Sequence, residues 1–271
     1  MPFKNITESN SPYRHLEKMG LHDLLTSINT EDKKVAEVIA TSIPQIELLV
    51  QAIIEKMKAG GRLFYLGAGT SGRLGILDAA ECPPTFGVSN NLVIGIIAGG
   101  KKAIKNAVEF IEDDTKQGWK DLKKHKIGTA DFVIGISASG YTPYTMGALE
   151  KCKKKNILTG GICSNPSSPI NTIVDYPVEV ITGPEFLTGS TRMKAGTAQK
   201  LILNMISTSV MIQLGKVADN KMINMQLNNN KLVERATKML MENLKIDHQQ
   251  AKRILVKHGS VKKAMKAIIK D

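Results

Sequence analysis

An α/β chain built on a parallel sheet is predicted by three observations: five short apolar runs, helical patterns between most of them, and loops rich in Gly, Ser and Thr where several runs end. The runs are 63–66, 92–98, 132–136, 157–162 and 178–181. Each is too short for a helix and lacks strict alternation, as expected of strands covered on both faces. Strand and helix in turn imply helices on either side of the sheet, with ligands bound beyond the carboxyl ends of the strands.

A helical arm comes first. Thr30-Glu31-Asp32-Lys33 opens an apolar-periodic stretch through Val35, Val38 and Ile39, and Pro44 sits near the start of a second helix that covers 46–58 and stops at Gly60-Gly61. After the first strand, helices are predicted over 73–80, 102–112 and 144–154. A longer one, 193–216, is apolar at Leu201, Leu203, Met205, Ile206, Val210 and Ile212, a pattern for core or subunit packing. The tail from 228 is lysine-rich and helical, with a turn at His258-Gly259-Ser260 between two short helices. The chain thus divides into an N-terminal helical arm (1–45), a sheet domain (46–225) and a small helical C-terminal appendage (226–271).

A chain of 271 residues with 42% apolar content can bury a large core, which excludes a disordered protein. The 37 Lys and Arg against 25 Asp and Glu give a net charge of +12, which favours an anionic partner. With 4% aromatic residues and scattered lysines, neither base stacking nor a basic stripe is available, so nucleic acid is discounted. The first nine residues carry no apolar leader, and no run of about 18 apolar residues follows. A soluble, cytoplasmic protein that needs no membrane is expected. Cys82, Cys152 and Cys163 form no C-x-x-C pair, and His15, His22, His125, His248 and His258 show no ligand spacing, so no disulfide framework and no metal are expected.

Charge then finds its place in three loops. The first, Gly67-Ala68-Gly69-Thr70-Ser71-Gly72, joins a strand to a helix. Its glycines let the backbone approach an anion while a helix N-terminus aims N–H groups at it, which makes Gly69, Thr70, Ser71 and Gly72 candidate phosphate ligands. The spelling also fits G-x-G-x-x-G, but the next strand ends Ile97-Ala98-Gly99-Gly100 without the acidic residue that holds a ribose. Arg73-Leu74 stands where a P-loop needs Lys and Ser or Thr. No nucleotide or other cofactor is implied. The second loop offers Ser137, Ser139, Gly140 and Thr142. One such loop alone would be read as helix capping; two at equivalent strand ends point to a shared cleft. The third, 188–197, carries Ser190, Arg192 and Lys194 ahead of the long helix, where cations oppose the helix dipole unless an anion lies nearby.

The stretch Gly61 to Gly87, with GAGTSGRLGILDAAECPPTFG at its centre, resembles the signature of N-acetylmuramic acid 6-phosphate etherases. So does 188–200, and Val108-Glu109-Phe110-Ile111-Glu112-Asp113-Asp114 is similar to that family's second acidic motif. The resemblance runs from Thr7 to Val217 and departs in a shorter tail after Asn228. It implies the sugar isomerase (SIS) fold, a homodimer with sites near the subunit interface, and conversion of N-acetylmuramic acid 6-phosphate and water into N-acetylglucosamine 6-phosphate and D-lactate. It also implies Glu81 and Glu112 as the catalytic pair.

The chemistry is consistent with two carboxyl groups. The lactyl ether sits on C3, beta to the C1 aldehyde of the open-chain sugar, so the C2 proton is acidified and elimination is the natural route. Glu112, expected on the helix after the second strand, is assigned as the base at C2. Glu81, expected at the end of a short helix before Pro83-Pro84, is assigned as the proton donor to the leaving lactate and activator of the incoming water. Cys82 reads as a packed thiol, with no His near it to activate it. The competing readings are a non-catalytic SIS sugar-phosphate sensor, such as glucokinase regulatory proteins, and an aldose–ketose isomerase; detection of lactate separates both from an etherase.

Overall fold

The computed structural model describes residues 5–227 and 230–268. After a 3-10 turn at Ile6–Glu8 and another at Leu16–Lys18, one helix, α1, runs the whole way from Leu21 to Lys58. The two helices expected on either side of Pro44 are therefore one, and the division placed at residue 45 falls inside it. Side chains next to the proline dock the helix on the edge of the sheet: Ser42 Oγ donates to the Glu179 carbonyl (2.6 Å) and Gln45 Oε1 accepts from the Glu179 N–H (2.9 Å). Tertiary contact thus holds the helix through a residue that removes one of its hydrogen bonds.

The sheet follows as β1 (Leu63–Gly67), α2 (Gly69–Phe86), β2 (Val93–Ile97), α3 (Gly100–Lys105), α4 (Gln117–Lys124), β3 (Phe132–Ile136), α5 (Pro143–Lys154), β4 (Leu158–Cys163), α6 (Ile170–Ile173) and β5 (Tyr176–Glu179). All four pairings are parallel, in the order β2-β1-β3-β4-β5. The long helix α7 (Lys194–Gln213) and a hairpin of β6 (Val217–Ala218) with β7 (Lys221–Met222) complete this part. The appendage is three helices, α8 (Asn230–Leu244), α9 (His248–His258) and α10 (Val261–Ile268), with Gly259 left-handed (φ 74°) at the predicted turn. Residues 269–271 of the tail lie outside the described residues.

Alternate residues of each strand face two separate cores. Leu63, Tyr65, Phe132 and Ile134 pack under α1, α2 and α7, while Phe64, Leu66 and Val133 pack with Leu122, Tyr144 and Leu149 from α4 and α5. A third cluster, built on Met225, Leu240, Leu255 and Val261, holds the appendage together. Among the described residues α1 is the one helix long and apolar enough to cross a membrane. Its Val35, Ile39, Leu49 and Ile53 are buried in the core and it packs on α7 and β5, as a core helix does. Counting consecutive apolar residues misses it because Thr41, Ser42, Gln45 and Glu47 interrupt the run.

Two helices differ from expectation near the candidate site. α2 continues past Glu81 through Pro83 and Pro84 to Phe86, with left-handed Gly87 as its cap. The helix expected over 102–112 stops at Lys105, where Asn106 is extended. The Arg73 guanidinium donates to the carbonyls of Ile104 and Asn106 (both 3.2 Å), satisfying that end, so Glu112 sits instead on a 3-10 turn, Ile111–Asp113, entered through left-handed Phe110.

Candidate active site

The chain leaves β1 for β2 on one side while β3 lies on the other, so a crevice opens between the carboxyl ends of β1 and β3. A cleft of about 300 Å³ occupies it. The β1–α2 loop contributes Ala68, Gly69, Thr70 and Ser71, and the β3–α5 loop contributes Ala138, Ser139, Tyr141, Thr142 and Pro143. Thr191, Glu112, Asp113 and Glu8 complete the wall. A larger cavity of about 580 Å³ runs along α8 and β7, away from the strand ends, and mixes Lys221, Lys231 and Lys238 with Glu234 and Glu242.

Two helices aim their N-termini at the cleft. No side chain caps α2 or α5, and Gly72 is the first residue of α2 whose N–H reaches a helical acceptor, the Ala68 carbonyl at 3.1 Å. The N–H groups of Gly69, Thr70 and Ser71 are therefore left for a ligand, at the positive end of the helix dipole. Gly72 itself does not line the cleft. A Cβ there would lie 2.6 Å from the Gly67 carbonyl and 2.6 Å from Ile97, so glycine is what lets α2 start this close to β1.

In the second loop, Ser139 and Thr142 face the cleft, whereas buried Ser137 works from behind. Ser137 Oγ lies 2.8 Å from Thr142 Oγ1 and 3.2 Å from Ser139 Oγ, and accepts from the Gly140 N–H at 3.0 Å. Gly140 turns the chain at φ 76°, in a place where a Cβ would meet Ser168 at 2.4 Å. These two residues shape the loop and orient its hydroxyls.

The third loop is placed differently from the sequence reading. Thr191 lines the cleft; Ser190 and Arg192 do not. Lys194 is 3% exposed, with its ammonium 2.6 Å from the Glu31 carboxylate of α1. Burial raises the Glu31 carboxyl, but hydrogen bonds from Lys194 and Lys34 outweigh this and hold it below the ordinary range. The anion at the N-terminus of α7 belongs to the protein as well: the fully buried Glu185 carboxylate accepts from the N–H groups of Lys194 (2.8 Å) and Ala195 (2.9 Å). Burial pushes Glu185 above the usual carboxylate range. The anion that the sequence calls for at this helix is a glutamate brought by the preceding loop.

Of the two candidate catalytic carboxylates, exposed Glu112 stands on the cleft rim and Glu81 does not line it. Glu81 is twelve residues beyond Gly69 on α2, about 18 Å along the helix axis. It is exposed next to Ala80 and one turn from Leu77, itself 52% exposed. The neighbouring α7 exposes Met205 and Ile212. Beneath Glu81, Asp78 is buried, accepting from Tyr65 Oη (3.0 Å), Asn204 Nδ2 (2.9 Å) and Ser207 Oγ (3.1 Å), and burial raises its carboxyl. This network ties the second half of α2 to α7.

Cys82, Cys152 and Cys163 are buried free thiols, and burial pushes Cys82 and Cys152 up to about 12. Among the described residues no group of three or more His, Cys, Asp or Glu side chains could hold a metal ion. Glu8, Asp113, Tyr141 and Thr191 are cleft residues that motif reasoning passes over. Glu8 carries no sequence signal, because a three-residue turn has no periodicity. Asp113 adjoins Glu112 and reads as a solvated acid until the turn is seen.

A parallel sheet with a polar cleft at its switch point, between two uncapped helix N-termini, is the architecture of the SIS domain. The description "glucokinase regulatory protein N-terminal SIS domain" matches residues 45–153 and "SIS domain" matches 105–209. The same fold is seen in a phosphoheptose isomerase of Neisseria gonorrhoeae (TM-score 0.54, 14% identity, 70% of this chain and 99% of that one). It recurs in the NanR protein of Vibrio vulnificus complexed with ManNAc-6P (TM-score 0.52, 14% identity, 72% and 65%). Closer relatives are N-acetylmuramic acid 6-phosphate etherases: that of Porphyromonas gingivalis is 55% identical over 98% of this chain and 97% of its own length, and that of Christiangramia forsetii is 57% identical over 96% and 95%. The etherase of Caldanaerobacter subterraneus is 53% identical over 87% of this chain and 77% of its own length. The chain belongs to the N-acetylmuramic acid 6-phosphate etherase family.

Proposed function

We propose that this chain cleaves the lactyl ether of N-acetylmuramic acid 6-phosphate, giving N-acetylglucosamine 6-phosphate and D-lactate in the recovery of cell-wall sugar. The observation that carries the reading is a match at 55% identity over 98% of the chain to an enzyme of that name. The cleft supports it. Its free amides at Gly69, Thr70 and Ser71 and the hydroxyls of Thr70, Ser71, Ser139 and Thr142 suit a phosphate monoester, with no metal required.

With the phosphate seated there, Glu112 faces the sugar and takes the C2 proton. The electrons left at C2 form the C2–C3 double bond as the C3–O bond breaks, and lactate leaves with a proton from a general acid. Water then adds at C3 and a proton returns to C2, which restores the saturated sugar. Glu81 is the proton donor to lactate and the activator of the water. Its distance from the cleft of its own chain supports a site shared between two copies, in which the exposed Leu77, Met205 and Ile212 cover one another in a homodimer and deliver Glu81 across the interface. Buried, unpaired thiols fit a reducing compartment, and we place the protein in the cytoplasm.

The test is D-lactate release from N-acetylmuramic acid 6-phosphate by purified protein without added metal or nucleotide. Release establishes the reaction. A folded protein that binds the substrate and releases none is a sensor or another sugar-phosphate enzyme.

A further inference from the structure

The reaction above acts on an open-chain aldehyde, whereas a hexose 6-phosphate is mostly a closed ring. Opening breaks the C1–O5 bond. Its electron pair goes to O5, which gains a proton, while the O1–H electron pair becomes the C1=O1 bond and O1 loses its proton. No net proton is consumed. One carboxylate that reaches both oxygens suffices, taking the proton of O1 and handing it to O5.

Four cleft-lining side chains carry a carboxyl or phenol group: Glu8, Glu112, Asp113 and Tyr141. None of the five histidines lines the cleft. Glu112 is committed to C2, and Asp113 is its neighbour on the same 3-10 turn. Glu8 comes from the N-terminal arm and lies against Gly189, where an added Cβ would be 3.0 Å from Glu8 Oε2; it lines the cleft along with Thr191.

Glu8 is held there through its backbone. The preceding Thr7 is fully buried, and its N–H donates to Asn165 Oδ1 at 3.0 Å. The fully buried Asn165 amide donates in return to Thr7 Oγ1 (3.0 Å) and to the Ser139 carbonyl of the phosphate loop (3.2 Å). A second tie runs from the Ser11 N–H to Thr188 Oγ1 at 2.9 Å. The arm is thereby fastened to two cleft loops, yet the Glu8 carboxylate has no hydrogen bond or ion pair among the described residues. An unpaired acceptor on an anchored backbone in the cleft wall would repel the phosphate; it matches a hydroxyl donor on the sugar.

We propose that Glu8 is a catalytic residue that opens the pyranose ring, passing the proton of O1 to O5. The inference rests on the etherase reading. Glu8→Gln keeps the exposed side chain's size and removes only its ability to take a proton, and a thermal melt confirms folding. Two rates are measured on each protein: D-lactate release from N-acetylmuramic acid 6-phosphate, and hydration of the open-chain 2,3-unsaturated aldehyde 6-phosphate derived from N-acetylglucosamine, which needs no ring opening. In the variant, lactate release falls by about 100-fold or more, while hydration stays within about threefold of the wild type. The residual lactate rate also stops rising with enzyme concentration, because spontaneous opening of the free sugar then limits it. Equal loss of both rates, or loss of neither, overturns the role of Glu8 and leaves the etherase reading standing. A wild-type protein that releases no lactate overturns both.

Discussion

Mixing two inactive variants tests the shared site most sharply. Under the proposed mechanism Glu81→Gln and Glu112→Gln each remove one proton-transfer group, and each is expected to lower lactate release by about 10²- to 10⁴-fold. Both residues are exposed and neither side chain has a hydrogen bond or ion pair among the described residues, so both variants are expected to fold. Glu81 lies about 18 Å along α2 from Gly69 and does not line the cleft of its own chain, which is why it is assigned to the partner's. If it serves the partner's cleft, a mixed dimer has one site with both glutamates and one with neither. Random re-pairing of equal amounts makes about half of the dimers mixed, each with one working site of two, so activity returns to about a quarter of the wild type. The assay is D-lactate release after co-refolding differently tagged variants, with the mixed species confirmed by tandem affinity capture. Mixed dimers that stay as inactive as either parent would refute the shared site.

Three further outcomes follow from named contacts. Glu31→Gln leaves the buried Lys194 ammonium without its counter-charge and is expected to cost about 3–5 kcal/mol in urea unfolding at neutral pH. Because Glu31 titrates below its unfolded value of about 4.5, its stabilisation is complete above that pH and is lost as pH falls through the lower folded value; the wild type should lose stability below about pH 4.5 more steeply than the variant. Gly72→Ala puts a methyl 2.6 Å from the Gly67 carbonyl and should destabilise by about 1–3 kcal/mol, with KM raised because the α2 amides shift; an unchanged melt would show that α2 starts farther from β1. Asn165→Ala strips the buried Thr7 N–H of its acceptor, costing about 1–3 kcal/mol, and should speed hydrogen exchange at Thr7 while lowering kcat.

The sheet was legible because a buried parallel strand leaves a short apolar run, and β3 matches its run residue for residue. The first two loops were legible for a similar reason: glycines and hydroxyls at a strand-to-helix junction are local features. What escaped is carried by contacts distant in sequence. Lys194 reads as a ligand until Glu31, 163 residues earlier, is seen to hold it. Glu8 has no signal of its own, since it is placed through its neighbour Thr7, which Asn165 holds from 158 residues away. The break after Lys105 depends on Arg73, whose guanidinium takes the carbonyls that further helix would have used. Glu81 marks another limit: under the proposed shared site it would act across an interface, and such a residue cannot be placed by the chain that carries it.

The docking of α1 on β5 bears on how this protein stays in solution. The outer rim of a parallel sheet offers unpaired N–H and C=O groups on which a foreign strand can grow. At Glu179 both groups are already taken, by Gln45 and Ser42. α1 therefore works as a guard rail against strand-by-strand aggregation, and the proline in it does no harm there, since the guarding contacts come from side chains. Variants that lose Ser42 and Gln45 together would fold around the same core, but would leave this rim open to fibrillar growth during prolonged storage or heating.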